Sequence, residues 1–183
     1  MAGWKDKRKI MQRYDLTAEM YDERYAEEQQ RKYKKALENV SLAGNAVLDV
    51  GCGSGLFFKE VAAEADMVVG IDVSCKLLLK AKEHARAYQN AFILQADADH
   101  LPFKDGFFDA VLAFTVLQNM PKPHNTLCEL KRVAKNGGRV VVTGLKKAFP
   151  LTTFMDVLES SGLKIITFID DEEVNCYVTV LAT

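Results

Sequence analysis

The residues with the clearest chemical potential stand in Val47-Leu48-Asp49-Val50-Gly51-Cys52-Gly53-Ser54-Gly55. A short apolar run leads into glycines at alternate positions, and a helix-like segment follows. Such glycines permit positive φ and let a ligand approach the backbone closely. The start of the following helix favours polar or anionic groups. The spacing is GxGxG rather than GxGxxG, with Asp49 two residues before the first glycine. Two more carboxylates close later apolar runs: Asp72 after Val68-Val69-Gly70-Ile71, and Asp97 in Gln95-Ala96-Asp97. A carboxylate such as Asp72, at the end of a second parallel strand, can accept both hydroxyls of a ribose. Three acids ending three adjacent strands describe a pocket for a nucleoside with a cationic tail. The plainer readings are a tight turn for the glycines and a helix N-cap for Asp72, ahead of Ser74.

Those acids matter only if the chain brings the strand ends together. Apolar runs at 46–50, 67–71, 91–94, 108–114 and 139–143 alternate with helical patterns at 56–65, 74–88, 125–134 and 151–161. Ser74 is the N-cap candidate of the second of these helices, Asn136-Gly137-Gly138 the stop of the third and Gly162 the stop of the fourth. Such alternation predicts βαβ units and a parallel sheet. The runs at 163–169 and 174–181 are joined by four residues, too few for a parallel crossover, so they predict an antiparallel hairpin. The fold class expected is α/β: a doubly wound, Rossmann-like, seven-stranded sheet with five parallel strands and a C-terminal antiparallel hairpin. Residues 45–183 would form this domain. Residues 1–44 would add a helical arm or lid, in which Tyr14, Ala18, Tyr21 and Tyr25 line one helical face.

With 183 residues, 49% of them apolar, the chain is of one-domain size and ordinary globular composition. Its 24 basic and 25 acidic residues leave a net charge of −1, so no global field draws it onto nucleic acid. The cysteines Cys52, Cys75, Cys128 and Cys176 and the histidines His84, His100 and His124 form no ligand spacing. No metal is expected, and unpaired thiols fit a cytoplasmic protein. The basic start lacks the apolar stretch of a signal peptide, and no run approaches the ~20 residues of a membrane span.

Taken together, VLDVGCGSG (47–55), VVGIDVS (68–74), DADHLPFKDGFFDAVLAFTVLQNM (97–120) and LCELKRVAKNGGRVVV (127–142) resemble a class I S-adenosylmethionine-dependent methyltransferase of the small type 11 kind. The resemblance covers most of residues 45–145 and implies roles by position. Gly51, Gly53 and Gly55 would pass under the methionine part of the cofactor, S-adenosylmethionine, with Asp49 ordering the loop and its ammonium. Asp72 would hold the ribose. Val73 would pack on the adenine, Asp97 would accept from its exocyclic amine and the Ala98 amide would donate to the ring. Thr115 would offer backbone to the methionine tail, with Gln118 beside it. Tyr14 and Tyr21, in Tyr-Asp-x-x-Ala-x-x-x-Tyr-Asp, resemble an arm that covers the cofactor; the alternative is a core-facing stripe. No general base stands out, since His124 reads as a solvated helix start and His100 as a rim residue.

The acceptor is less legible. The segment 115–121 lacks the Asn/Asp-Pro-Pro-aromatic motif that holds planar amine nitrogens, and the helix before the sixth strand leaves no room for an acceptor-binding insertion. An open site follows, which leans towards a macromolecule. Basic residues at 5–9, at Arg31, Lys32, Lys34 and Lys35, and at Lys146 and Lys147 could line an RNA-facing rim, although solvated faces are the commoner reason for such runs. The resemblance also implies, from some relatives of this size that modify RNA or translation factors, a small activator protein as a possible partner. A small metabolite as acceptor, a non-catalytic cofactor-binding scaffold and a nicotinamide oxidoreductase are the alternatives. The last is opposed by the GxGxG spacing and by Asp97.

Overall fold

The apolar runs become strands where they were expected. In the computed structural model, which describes residues 2–183, these are β1 (Ala46–Val50), β2 (Met67–Asp72), β3 (Ala91–Gln95) and β4 (Phe108–Ala113), followed by β5 (Ala134–Leu145), β6 (Lys164–Ile169) and β7 (Cys176–Ala182). They form one sheet in the order β3-β2-β1-β4-β5-β7-β6. The pairs among β1 to β5 are parallel, whereas β7 runs antiparallel to both β5 and β6. The chain is thus a Rossmann-like α/β protein with a terminal hairpin, because Asp170 to Asn175 can turn the chain but cannot cross the sheet.

The central strands are buried on both faces, as helix-covered parallel strands must be. Val47, Ala110, Leu112 and Val141 belong to one core, and Leu48, Val111, Val140 and Val142 to the other. The second core is covered by α5 (Pro123–Val133) and α6 (Leu151–Ser160) through Leu127, Leu130, Phe154 and Leu158. The first is covered by α3 (Phe58–Val61), α4 (Cys75–Ala85) and the end of α2 (Tyr21–Leu37), whose Tyr33 and Ala36 are buried there. Upstream lies α1 (Ala2–Thr17), separated from α2 by a 3-10 turn at Ala18–Met20.

Two expected elements differ. The helix expected at 56–65 is a single turn, because the chain doubles back at once: the Gly44 amide donates to the Glu64 carbonyl and the Asp66 amide to that of Asn45. Asn136-Gly137-Gly138 does not stop α5. That helix ends because Ala134 turns extended to pair with Phe108, and the glycines form a bulge within β5 before Arg139 pairs with Ala110. At Gly138 an added Cβ would meet the Lys135 carbonyl at 2.8 Å, so the bulge requires a glycine. Among the described residues, no helix is long and apolar enough to cross a membrane.

Candidate active site

Strand order reverses between β1 and β4, and ligands of such sheets bind beyond the carboxyl ends at that point. A cavity of about 880 Å³ lies there, floored by Gly51, Asp72, Asp97 and Thr115 and walled by α1 and α2. The loop after β1 is pinned by the Gly51 and Cys52 amides, which both donate to the Ile71 carbonyl at 2.8 and 2.9 Å. Gly51 reaches the cavity wall with φ at 72°. Gly53 lies under the Tyr21 ring, where a Cβ would meet the ring at 3.1–3.2 Å. Gly55 faces away, against Phe58 and Ala81, so its role is close packing.

The three acids sit in three different environments. Asp72 takes the Gly53 amide on one oxygen at 3.0 Å and the Ser74 amide on the other at 2.8 Å. The Val73 amide also points at this carboxylate, so of its roughly four acceptor positions at least one remains for a ligand. Burial holds its pKa above the carboxylate range, partly offset by those amides. Ser74 caps α4 by accepting from the Leu77 amide at 3.2 Å. Asp49 is 2% exposed. Burial, reinforced by the Asp72 charge, pushes its carboxyl up to about 8, with no cation or donor acting in the opposite direction. Asp97 lies beside Ala98 and, across the cavity, Val73, with both oxygens bound by the Lys7 ammonium.

The arm is tied across this edge. Asp15 accepts from the Ser74 hydroxyl at 2.6 Å and the Lys76 amide at 3.2 Å, and Asp22 accepts from the Ser54 hydroxyl. Tyr14, Tyr21 and Tyr25 all line the cavity. Tyr14 and Tyr21 meet edge to face at 6.1 Å, and the centroids of Tyr21 and Tyr25 are 4.9 Å apart. Burial raises the Tyr21 pKa above the ordinary phenol value.

Thr115 has φ at 62°, which a β-branched residue adopts only under constraint. Its amide donates to the Thr143 hydroxyl at 2.7 Å, and its carbonyl accepts from Gln118 at 2.6 Å and Asn119 at 3.1 Å. That carbonyl is therefore spoken for. Gln118 Oε1 is buried without a partner and is the free acceptor at this position.

Among the wall residues that the sequence does not mark as part of the site are Lys7, Gln29, Lys32 and Asn119. Lys7 and Lys32 were grouped with surface charge, yet they are 8% and 3% exposed. A signal existed for α2, because Gln29, Lys32, Tyr33 and Ala36 follow the i, i+3, i+4, i+7 spacing of one helical face.

Several residues of the basic runs are engaged in ion pairs, which leaves the expected nucleic-acid rim without support. Lys7 pairs with Asp97 and Asp99, Arg31 with Glu27, Lys32 with Glu28, Lys35 with Asp171, and Lys146 with Asp170. Of the histidines, His124 sits on the exposed start of α5 against Ser160 and Cys128, and His100 is exposed beyond Asp97. Among the described residues, no three or more His, Cys, Asp or Glu are placed to hold a metal ion.

Residues 48–142 match the family described as "Methyltransferase domain". The chain belongs to this family, and its sheet order and glycine loop are those of the S-adenosylmethionine-dependent class. It is 41% identical over 100 residues to the demethylmenaquinone methyltransferase of Tropheryma whipplei (strain Twist). The match covers 55% of this chain and 41% of that relative, so the chain spans less than half of the relative's length. Among solved structures, a SAM dependent methyltransferase from Aquifex aeolicus superposes with a TM-score of 0.78 at 20% identity, over 91% of this chain and 97% of that one. A Haloferax volcanii chain, solved in a complex with the Trm112 methyltransferase activator, gives a TM-score of 0.78 at 19% identity, over 92% and 95%. At these identities the likeness is one of fold.

Proposed function

We propose that the protein transfers a methyl group from S-adenosylmethionine to a small organic acceptor that shares the cavity beneath the arm. The observation that carries this reading is the roof: α1 and α2 reach over the strand ends through Lys7, Asp15 and Asp22, leaving a half-covered chamber of about 880 Å³. That volume is in the range of small-molecule sites. A relative whose name specifies a quinone precursor as acceptor supports the same direction.

The residues present fit the cofactor. Asp72 retains at least one acceptor position for the ribose hydroxyls. Val73, Ala98 and Asp97 surround the place for an adenine. Asp49, behind the glycine loop and outside the cavity lining, is a buried carboxyl short of a cation, and an ammonium held on the other side of that loop would supply one. Gln29 Oε1 and Gln118 Oε1 are buried acceptors short of donors. When bound, the cofactor supplies a sulfonium-activated methyl group for in-line displacement. The chain's own work is alignment and exclusion of water: the glycine loop and Thr115 set one side, and the tyrosines of the arm seal the other.

A small activator protein is a further partner under this reading, supported by the fold shared with the Haloferax chain. The free thiols support a cytoplasmic location. The test is transfer of labelled methyl groups from S-adenosylmethionine into fractionated cell extract, with and without such a protein. Label in the small-molecule fraction is expected. Label in RNA or protein overturns the acceptor class, and cofactor binding with no transfer to any fraction makes the chain a scaffold.

A further inference from the structure

We infer that Lys32 and Gln29 together form the site for the amino-acid end of the cofactor, with Lys32 holding its carboxylate and Gln29 its ammonium. The inference rests on the methyl-transfer reading and adds to it the residues that bind the charged tail. Beyond its nucleoside, S-adenosylmethionine carries a sulfonium, an ammonium and a carboxylate. Asp49, behind the glycine loop, supplies a counter-charge for the ammonium, but the carboxylate requires a positive partner on the wall.

The other cations are engaged or exposed. Lys7 is held by Asp97 and Asp99 at the nucleoside end. Arg13 is exposed and donates to Asn119 at 3.2 Å. Lys146 is bound to Asp170 at 2.7 Å and to the Asp171 carbonyl at 2.8 Å. Lys32 differs. It is 3% exposed, and it stands over the carboxyl end of β4, which neighbours the strand that feeds the glycine loop. Its ammonium donates to Thr115 Oγ1 at 3.1 Å and lies 3.4 Å from Glu28 Oε1. An ammonium has three donors, and the third faces only the Cys176 thiol, a weak acceptor that an anion would displace. Glu28 compensates only in part, because Asn175 also draws on it through two contacts of 3.4 and 3.3 Å. A buried, incompletely paired ammonium is unfavourable until an anion joins it.

Gln29 supplies the complement. It lies three residues before Lys32 on the same helical face, it is 7% exposed, and its Oε1 has no hydrogen-bond partner. A spare cationic donor and a spare neutral acceptor, one helical step apart on a cavity wall, match the carboxylate and ammonium on one α-carbon. Thr115, held at positive φ, presents its hydroxyl to Lys32.

The experiment compares three ligands by calorimetry on the full chain: S-adenosylhomocysteine, its decarboxylated analogue, and 5′-methylthioadenosine, which lacks the amino-acid end. The wild type is expected to prefer S-adenosylhomocysteine to the decarboxylated analogue by about tenfold or more, the scale of one charge-assisted hydrogen bond. Lys32→Met should erase that preference and leave 5′-methylthioadenosine binding unchanged, and Lys32→Arg should restore most of it. Gln29→Leu should weaken both amine-bearing ligands and spare 5′-methylthioadenosine. Equal losses for all three ligands in Lys32→Met would make Lys32 a structural residue and overturn the inference. So would an undiminished preference in that variant. Failure of wild-type protein to bind 5′-methylthioadenosine would strike instead at the cofactor reading itself.

Discussion

Lys7 and Asp97 stand 90 residues apart and meet across the cavity, with the ammonium 2.7 and 2.8 Å from the two carboxylate oxygens. The same ammonium is 2.5 Å from Asp99. The arm thus rests on the acid to which an adenine amine would donate, and nucleoside and lysine compete for it. Lys7→Met is expected to raise the affinity for S-adenosylhomocysteine several-fold by calorimetry. It should also lower the melting temperature by about 2–4 °C, the scale of about 1 kcal/mol in a chain of this size. Weaker binding in the variant would mean that Lys7 stays in place and supports the closed site.

Asp72 should be the largest single contributor to nucleoside binding. Asp72→Ala removes a two-oxygen acceptor and is expected to weaken S-adenosylhomocysteine by about 1–3 kcal/mol. The change also strands the Gly53 and Ser74 amides, so Asp72→Asn serves as the control for folding. Unchanged affinity in a folded Asp72→Ala protein would remove the ribose assignment.

Asp49 gives the cofactor-free protein a pH dependence. Its carboxyl is raised from 3.8 to about 8, so the folded state holds a proton that the unfolded chain releases near pH 4. Stability is therefore full below about pH 4 and declines as pH rises towards 8. Asp72, raised by burial, adds to the same slope. Thermal melts between pH 5 and 8 should show a falling midpoint in the wild type and a flatter profile in Asp49→Asn. An ammonium arriving beside Asp49 favours the carboxylate, so binding of S-adenosylhomocysteine at pH 7 should release a proton. Calorimetry in buffers of different ionisation enthalpy detects it, and a heat independent of buffer would count against that pairing.

The arm can be removed without touching either core, since the buried clusters begin at Tyr33. A chain beginning at Gln29 should fold and should bind S-adenosylhomocysteine at least tenfold more weakly, having lost Tyr14, Tyr21 and the ties made by Asp15 and Asp22. A lower melting temperature with unchanged affinity would assign those helices to stability alone.

Much of the architecture was legible in the chain because it depends on local pattern. The apolar runs ending at Val50, Ile71 and Leu94 have strand length and composition, the glycines mark the loop, and the four residues between the last two runs permit only a hairpin. The three acids were legible for the same reason, since a residue ending a parallel strand must lie on the carboxyl edge. The partners of those acids were not. Lys7 and Lys32 read as solvated charge, because sequence records that a lysine is present but not whether its helix turns it towards water or towards Asp97 and Thr115. The arm was legible as an amphipathic segment with two possible docking places, a lid over the strand ends or a stripe in the core, and only packing placed Tyr14, Tyr21 and Tyr25 on the cavity wall. Asn136-Gly137-Gly138 has the composition of a helix stop, and pairing of Ala134 with Phe108 overrode that local preference. In each case the deciding energy lies in contacts between residues tens of positions apart, such as Lys7 with Asp97 or Lys32 with Thr115. Periodicity reports which face of a helix is apolar, and only packing decides what that face meets.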